Sequence, residues 1–429
     1  MKKEIFKTLI RENQELVMAK ALKPRQLKLP DVNKIISLIG PRRCGKTSLL
    51  HHRMQQLAKK SERQAVFYIN FEDDRLHPLE LNDLQYITEA YYELYPKMSK
   101  KRVYAFFDEV QVVKGWEKYI RRIYDTKNLR IFITGSSSSL LNRELATELR
   151  GRTLCYELFP LSFREYLAFL KINPDIYNPH SVGEIQNALN KYLYTGGFPE
   201  IVSFDEPLVR KTIHDYMQLM LYKDVVDRYD IKNHAAINHF MRHVFRNSAG
   251  LLSINKVFND MKSIGLVLAK NSLYDYISYF EDVFACFTVP IHRKSINEQN
   301  RNPKKVYVAD NSYYCSQLVV PEKSKQYENV VFNHLRRISN QIFYFKGVQE
   351  TDFVYFHDGK KHLINVAYDI SDASTLKREI NGLKESMDAE GVKNALLINA
   401  VIEKEWKTEE GKIKAVPLWK WLLTYDDKV

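Results

Sequence analysis

Residues Gly40-Pro41-Arg42-Arg43-Cys44-Gly45-Lys46-Thr47 follow the spacing G-x-x-x-x-G-K-[ST]. This pattern suits a phosphate chain. Glycines at 40 and 45 let backbone N–H groups approach without a Cβ clash, Lys46 reaches the β- and γ-phosphates, and the Thr47 hydroxyl serves Mg2+. The flanks fit the same purpose. Ile35-Ile36-Ser37-Leu38-Ile39 is an apolar, β-branched run that reads as a buried strand, and Ser48-Leu49-Leu50-His51 reads as the start of a helix. Strand, loop and helix N-terminus then converge on one anionic ligand, a nucleoside triphosphate, touched by residues Gly40 through Ser48.

Three further clusters complete such chemistry. Val103-Tyr104-Ala105-Phe106-Phe107-Asp108-Glu109 is an apolar strand ending in two acids, a Walker B pattern. Asp108 joins Thr47 in the Mg2+ shell, and Glu109 polarises the attacking water. The alternative for this stretch is a core strand capped by solvated carboxylates. Ile131-Phe132-Ile133-Thr134-Gly135-Ser136-Ser137-Ser138 is a strand ending in hydroxyls. Thr134 or Ser136 is placed there to touch the γ-phosphate or the water, and the serines can also cap the next helix. In Glu148-Leu149-Arg150-Gly151-Arg152 the arginines are candidates for a finger at a neighbour's γ-phosphate, with Arg152 the first choice. A finger of that kind makes the active assembly a homo-oligomer. The alternative is an arginine paired with a local carboxylate.

These groups need a scaffold. Strands are expected at Ile35 to Ile39, Ala65 to Phe71, Val103 to Phe107 and Arg130 to Thr134, with helical stretches between them. Such alternation makes a parallel α/β sheet with ligands at the C-terminal strand ends. The Arg130 to Thr134 strand belongs between the P-loop and Walker B strands. Residues 1–30 read as an amphipathic helix and an extended connector, and 31–160 as the nucleotide-binding core. Residues 161–234 are mostly helical, with a break at Thr195-Gly196-Gly197-Phe198-Pro199. Residues 235–320 hold short helices and a basic, strand-like hairpin, and 321–429 form a second α/β unit.

Bulk composition agrees. A chain of 429 residues is too long for one hydrophobic core. The 65 basic against 52 acidic residues leave a net charge of +13, which favours an acidic partner such as DNA or serves solubility alone. Cys44, Cys155, Cys286 and Cys315 are widely spaced, with no C-x-x-C pair, so neither a zinc ribbon nor a disulfide framework is expected. The N-terminus lacks the apolar stretch of a signal peptide and no run of about 18 apolar residues occurs, so the expected location is the cytoplasm, with no membrane contact.

Taken together, the P-loop at 40–47, Asp108-Glu109, Thr134-Gly135-Ser136, Gly151-Arg152 and Leu158-Phe159-Pro160-Leu161-Ser162-Phe163-Arg164-Glu165-Tyr166 resemble the AAA+-type P-loop ATPases of bacteria and archaea that carry a C-terminal domain of unknown function. Gly196-Gly197-Phe198-Pro199-Glu200, the stretch from Leu221 to Tyr229, and Lys305-Val306-Tyr307-Val308-Ala309-Asp310 extend the resemblance over nearly the whole chain. It implies an α/β fold class: an AAA+ core with a parallel sheet, a helical segment, a winged helix and a restriction-endonuclease-like C-terminal domain. It also implies ATP, with Mg2+, as the triphosphate.

Residues support the winged helix separately. Ser253 to Met261 reads as the first helix of a helix-turn-helix, Ser263-Ile264-Gly265-Leu266 as its turn and Leu273 to Phe280 as the second helix. The span from His292-Arg293-Lys294 to Arg301-Asn302-Pro303-Lys304-Lys305 is a basic wing suited to DNA phosphates. The second helix carries Asp275, Glu281 and Asp282, and its tyrosines and Phe280 stand at core spacing. In the last domain a nuclease needs an acid, then acid-x-Lys on the next strand. Glu350-Thr351-Asp352 supplies the first acid, but Asn365 and Ala367 replace the second acid and the lysine. No nuclease activity is expected, and Glu328 and Asp352 are expected on solvated faces. Two functions follow: an ATPase that remodels or clamps nucleic acid, or an ATP-controlled switch on a protein partner in signalling or defence.

Overall fold

Five parallel strands carry the motifs at 40–47 and 108–109, and they stand in the order β2-β3-β4-β1-β5. They are β1 (Ile35–Ile39), β2 (Val66–Asn70), β3 (Val103–Asp108), β4 (Leu129–Gly135) and β5 (Thr153–Glu157). The computed structural model describes residues 2–135, 149 and 151–424. The chain falls into two units, Met1–Leu158 and Phe159–Val429.

In the first unit, β1 and β3 are buried along their whole length. Strands covered on both faces read as continuous apolar runs, which is why IISLI and VYAFFD show no alternation. Helix α1 (Lys2–Ala19) buries Phe6, Leu9, Ile10, Gln14 and Val17, a helical stripe. It covers the open edge of β2: Gln14 Nε2 donates to Val66 O at 2.7 Å and Asn13 Nδ2 to Tyr68 O at 3.2 Å. An edge strand presents unpaired carbonyls, and these two amides satisfy them. Helices α2 (Lys46–Lys60), α3 (Gln85–Leu94) and α4 (Trp116–Thr126) belong to the same unit. Strand β4 lies between β1 and β3, as the motifs required. Strand β5 was not anticipated, because its half-exposed residues carry no apolar run.

The second unit begins with α5 (Phe163–Leu170), whose capping box is Ser162 with Glu165, then α6 (Pro179–Thr195) and α7 (Glu206–Leu219), which continues as a π-helical stretch over Met220–Val226. The break at Gly196-Gly197 has a specific cause. Asp310 Oδ2 accepts from the Gly197 N–H at 2.7 Å, and a Cβ on Gly196 would lie 1.7 Å from Asp310 Oδ1. Two motifs far apart in sequence therefore form one joint.

Next come α8 (His234–Arg246), β6 (Gly250–Leu252), α9 (Ile254–Ser263), α10 (Lys270–Asp282), β7 (Cys286–Val289), α11 (Ile296–Arg301) and β8 (Lys304–Val308). The strands form an antiparallel sheet in the order β6-β8-β7. Leu273, Tyr276 and Phe280 of α10 face the core, and Tyr279 stacks on Tyr229 with centroids 3.7 Å apart. The span expected as a plain hairpin contains the helical turn α11 instead.

The remainder comprises α12 (Asn311–Cys315), α13 (Lys323–Ile338), β9 (Ile342–Lys346), β10 (Glu350–His357), β11 (Lys360–Val366), α14 (Ala373–Glu390), β12 (Asn394–Asn399), β13 (Lys404–Lys407), β14 (Lys412–Pro417) and α15 (Leu418–Thr424). Its six strands are ordered β13-β14-β12-β11-β10-β9, with β11, β12 and β14 parallel and the other pairings antiparallel. One expectation is overturned here. Glu328 and Asp352 do not sit on solvated faces; both are largely buried against the Lys305 ammonium, at 3.0 and 2.9 Å. Among the described residues no helix is long and apolar enough to cross a membrane.

Candidate active site

Strand β1 ends at Ile39, and the loop from Gly40 turns directly into α2, whose first residue is Lys46. Gly45, at φ 102°, caps that helix in a left-handed conformation that glycine adopts without strain. Gly40 is required for a different reason from the one expected. At φ 149° its missing Cβ would lie 2.0 Å from Leu158 O, so the clash it avoids is with the chain leaving β5. The first N–H groups of α2 have no partner one turn back and face the same side as the loop.

Lys46 is buried and donates to Gly40 O at 2.9 Å and Pro41 O at 3.0 Å. Among the described residues no carboxylate neutralises it. Arg25, from the connector after α1, donates to Cys44 O at 2.7 Å and pins the loop from behind. Cys44 is fully buried, and burial pushes its thiol up. Arg42 approaches Glu72 at 3.8 Å, while Arg43, in a left-handed conformation at φ 66°, and Ser48 are exposed at the rim.

Asp108 is the hub. Its Oδ2 accepts from Thr47 Oγ1 at 2.7 Å and from Tyr68 OH at 2.7 Å, and its Oδ1 accepts from Thr134 Oγ1. Thr134 Oγ1 in turn accepts from the Glu109 N–H at 3.0 Å. Burial and then the Glu109 charge push the Asp108 carboxyl up, while the three hydroxyls oppose them. Burial and the Asp108 charge likewise raise the Tyr68 phenol, so it stays a donor. Glu109 has φ 53°, a left-handed conformation that costs a non-glycine residue ~1 kcal/mol or more. Its carboxylate accepts from Gln111 Nε2. Such strain is retained where the direction of a side chain matters.

The structure thus brings Lys46, Thr47, Asp108 and Glu109 to the C-terminal ends of β1 and β3. Thr134 joins them as a brace between Asp108 and Glu109, with both its bonding roles engaged there. Arg152 is placed elsewhere. It precedes β5, at the opposite end of the sheet, and binds Asp125 through Nε at 2.9 Å and a terminal nitrogen at 3.3 Å. The local-carboxylate alternative describes this arginine as it stands. Ser136 and Arg150 lie outside the described residues.

Sequence reasoning passed over Tyr68 and Arg25. Tyr68 had a signal: a tyrosine in a strand buried on both faces needs a partner for its hydroxyl. Arg25 had none, being one of several basic residues in an irregular connector.

Four oxygens of two hydroxyls and a carboxylate beside a loop-bound ammonium define a P-loop nucleotide site of the AAA class. Residues 32–167 match the family model of an AAA domain, and residues 186–324 match a domain of unknown function (DUF8612). The chain belongs to the family of the uncharacterized protein MJ1544 of Methanocaldococcus jannaschii, to which it is 33% identical over 99% of its own length and 96% of that protein. An uncharacterized protein of Haemophilus influenzae is 26% identical over 93% of this chain and 96% of that protein. Among solved structures, the Aeropyrum pernix ORC1 protein in complex with DNA is 12% identical and covers 77% of this chain and 92% of that one, with a TM-score of 0.30.

Proposed function

We propose that the protein is a Mg2+-dependent ATPase whose turnover acts on nucleic acid, remodelling or clamping it. The observation that carries the ATPase reading is the continuous relay from Thr47 through Asp108 and Thr134 to Glu109. The oxygen-rich pair Thr47 and Asp108 suits Mg2+, which when bound supplies charge neutralisation at the phosphates. Lys46 and the α2 N-terminus bind and orient the triphosphate. Glu109 accepts the proton of the attacking water.

The nucleic-acid part rests on the second unit. Its helix–strand–helix–helix–strand–helix–strand order and β6-β8-β7 sheet support a winged helix with the short α11 inserted in its wing, and α10 as the second helix of the motif. Lys294, Arg301 and Lys304 are exposed on the wing. A cavity of about 400 Å³ beside it is lined by Asn255, Tyr274, Arg301 and Lys304. The wing is less basic than its sequence, however. His292 pairs with Glu390 at 2.8 Å, Arg293 donates to Lys346 O at 2.7 Å, and Lys305 is buried. Three of the wing's cations, Lys294, Arg301 and Lys304, are therefore exposed for phosphates.

A protein partner is the second reading. The turn between α9 and α10 exposes Ile264 at 58% and Val267 at 85%, apolar side chains ill suited to a phosphate backbone. The test is ATPase activity with and without single-stranded, duplex and branched DNA, alongside binding at several salt concentrations and the mass of the ATP-bound assembly. Nucleic-acid action predicts stimulation, and log affinity falling with log salt at a slope near −0.9 per phosphate contact, about −3 for three contacts. A DNA-indifferent rate with no salt-dependent binding favours the protein partner. A mass that stays monomeric at full activity removes Arg152 as a finger. Nuclease activity forms no part of this proposal.

A smaller prediction concerns Tyr68. Tyr68→Phe keeps the ring but removes a hydrogen bond to a buried carboxylate, a loss of about 1.5–3 kcal/mol. The expected result is unchanged ATP affinity and a several-fold higher Mg2+ concentration for half-maximal turnover. An Mg2+ titration at saturating ATP checks it, and an unshifted curve removes Tyr68 from positioning Asp108.

A further inference from the structure

The second unit holds an arrangement that the nucleotide chemistry does not use. Lys305 leaves β8 and is 4% exposed. Its ammonium lies 3.0 Å from Glu328 Oε1 on α13, 2.9 Å from Asp352 Oδ1 on β10 and 2.7 Å from Glu350 Oε1 at the start of β10. An ammonium has three donors, and here all three are matched by carboxylates. The acids are themselves fixed. Tyr307 OH donates to Glu328 Oε1 at 2.7 Å, the Val366 N–H donates to Asp352 Oδ2 at 2.8 Å, and Asn365 Oδ1 accepts from the Asp352 N–H at 3.0 Å. Asn365 Nδ2 continues the chain to Glu379 Oε2 at 2.8 Å.

The charges do not balance. Glu350 shares the more distant Lys346, at 3.9 Å, but among the described residues Glu328 and Asp352 pair with Lys305 alone. Carboxylates buried in this way are costly to desolvate, and an apolar packing would do better if stability were the purpose. Burial and then Asp352 push the Glu328 carboxyl up, and Lys305 opposes them. Burial would lower the Lys305 pKa, but Asp352 and Glu328 outweigh it and hold the ammonium charged. With the ammonium in their midst the acids stand apart, and among the described residues no group of His, Cys, Asp or Glu is placed to hold a metal ion.

We propose that Glu328, Glu350 and Asp352 form a cation site plugged by the chain's own lysine, so that Lys305 does the work of a divalent ion and ties β8 to the six-stranded sheet. A side chain with a single charge serves where two would balance better. The trade is permanence: the joint needs no metal, and the wing strand cannot leave without exposing three carboxylates. It also explains why a lysine in the basic wing points away from solvent.

The experiment is a Mn2+ titration of the nucleotide-free full chain, with free Mn2+ read by electron paramagnetic resonance. Lys305→Ala is expected to bind one more Mn2+ per chain than wild type, and to regain with millimolar Mn2+ much of the melting temperature it loses. Lys305→Ala combined with Asp352→Asn should return to the wild-type count. Equal stoichiometry in wild type and Lys305→Ala overturns the proposal. If Lys305→Ala does not fold on expression, it is refolded from denaturant with Mn2+ or with a chelator. Recovery confined to the Mn2+ sample supports the site, and equal failure in both removes it.

Discussion

Lys46→Ala is expected to leave a folded chain that no longer holds a triphosphate. The side chain is buried, yet its described partners are only the carbonyls of Gly40 and Pro41, in its own loop. Removing it breaks two hydrogen bonds within one loop and leaves no carboxylate among the described residues without its partner, so the cost to folding is small. The cost to binding is not. Hydrogen bonds to charged groups contribute about 1.5–3 kcal/mol each. Losing two phosphate contacts amounts to about 3–6 kcal/mol, or roughly 10²- to 10⁴-fold in Kd. Calorimetric titration with ATP and Mg2+ measures this, and an unchanged melting temperature without nucleotide separates it from unfolding. A Kd within tenfold of wild type would place the phosphates elsewhere.

What could be read in advance follows a physical divide. The P-loop and β3 were legible because their local patterns carry their own reasons: a glycine where backbone must turn or approach closely, and an unbroken apolar run where a strand is covered on both faces. The placement of β4 between β1 and β3 was read from the role given to Thr134 or Ser136 at the γ-phosphate, but the bracing of Asp108 and Glu109 by Thr134 was not. Strand β5 escaped because half-exposed residues have no such signature. The break at Gly196-Gly197 was visible, but its cause, the Asp310 carboxylate 113 residues away, was not. Lys305 shows the same limit most sharply. Within Asn302-Pro303-Lys304-Lys305 it looks like one more cation for phosphates. As a strand, β8 turns alternate residues to opposite faces, and its place between β6 and β7 decides that Lys304 reaches solvent and Lys305 reaches Glu328. Periodicity gives the alternation; tertiary structure decides which face is buried.

Glu109→Gln is expected to separate holding ATP from hydrolysing it. The substitution keeps size and shape. The backbone N–H of residue 109 still donates to Thr134 Oγ1, and Thr134 still braces Asp108. The left-handed backbone at 109 suits glutamine no worse than glutamate, and a glutamine carbonyl still accepts from Gln111. Binding should therefore stay within about twofold of wild type. What disappears is the proton acceptor. General base catalysis contributes about 10²- to 10⁴-fold, so kcat should fall by that factor, about 3–5 kcal/mol of barrier, with the ATP affinity preserved. Single-turnover hydrolysis with a parallel binding titration resolves the two effects. The comparison with Lys46→Ala makes the pair decisive. Loss of binding in both variants would mean that residue 109 holds the loop rather than the water. Full turnover in Glu109→Gln would mean that another base acts, and residue 109 would leave the catalytic role.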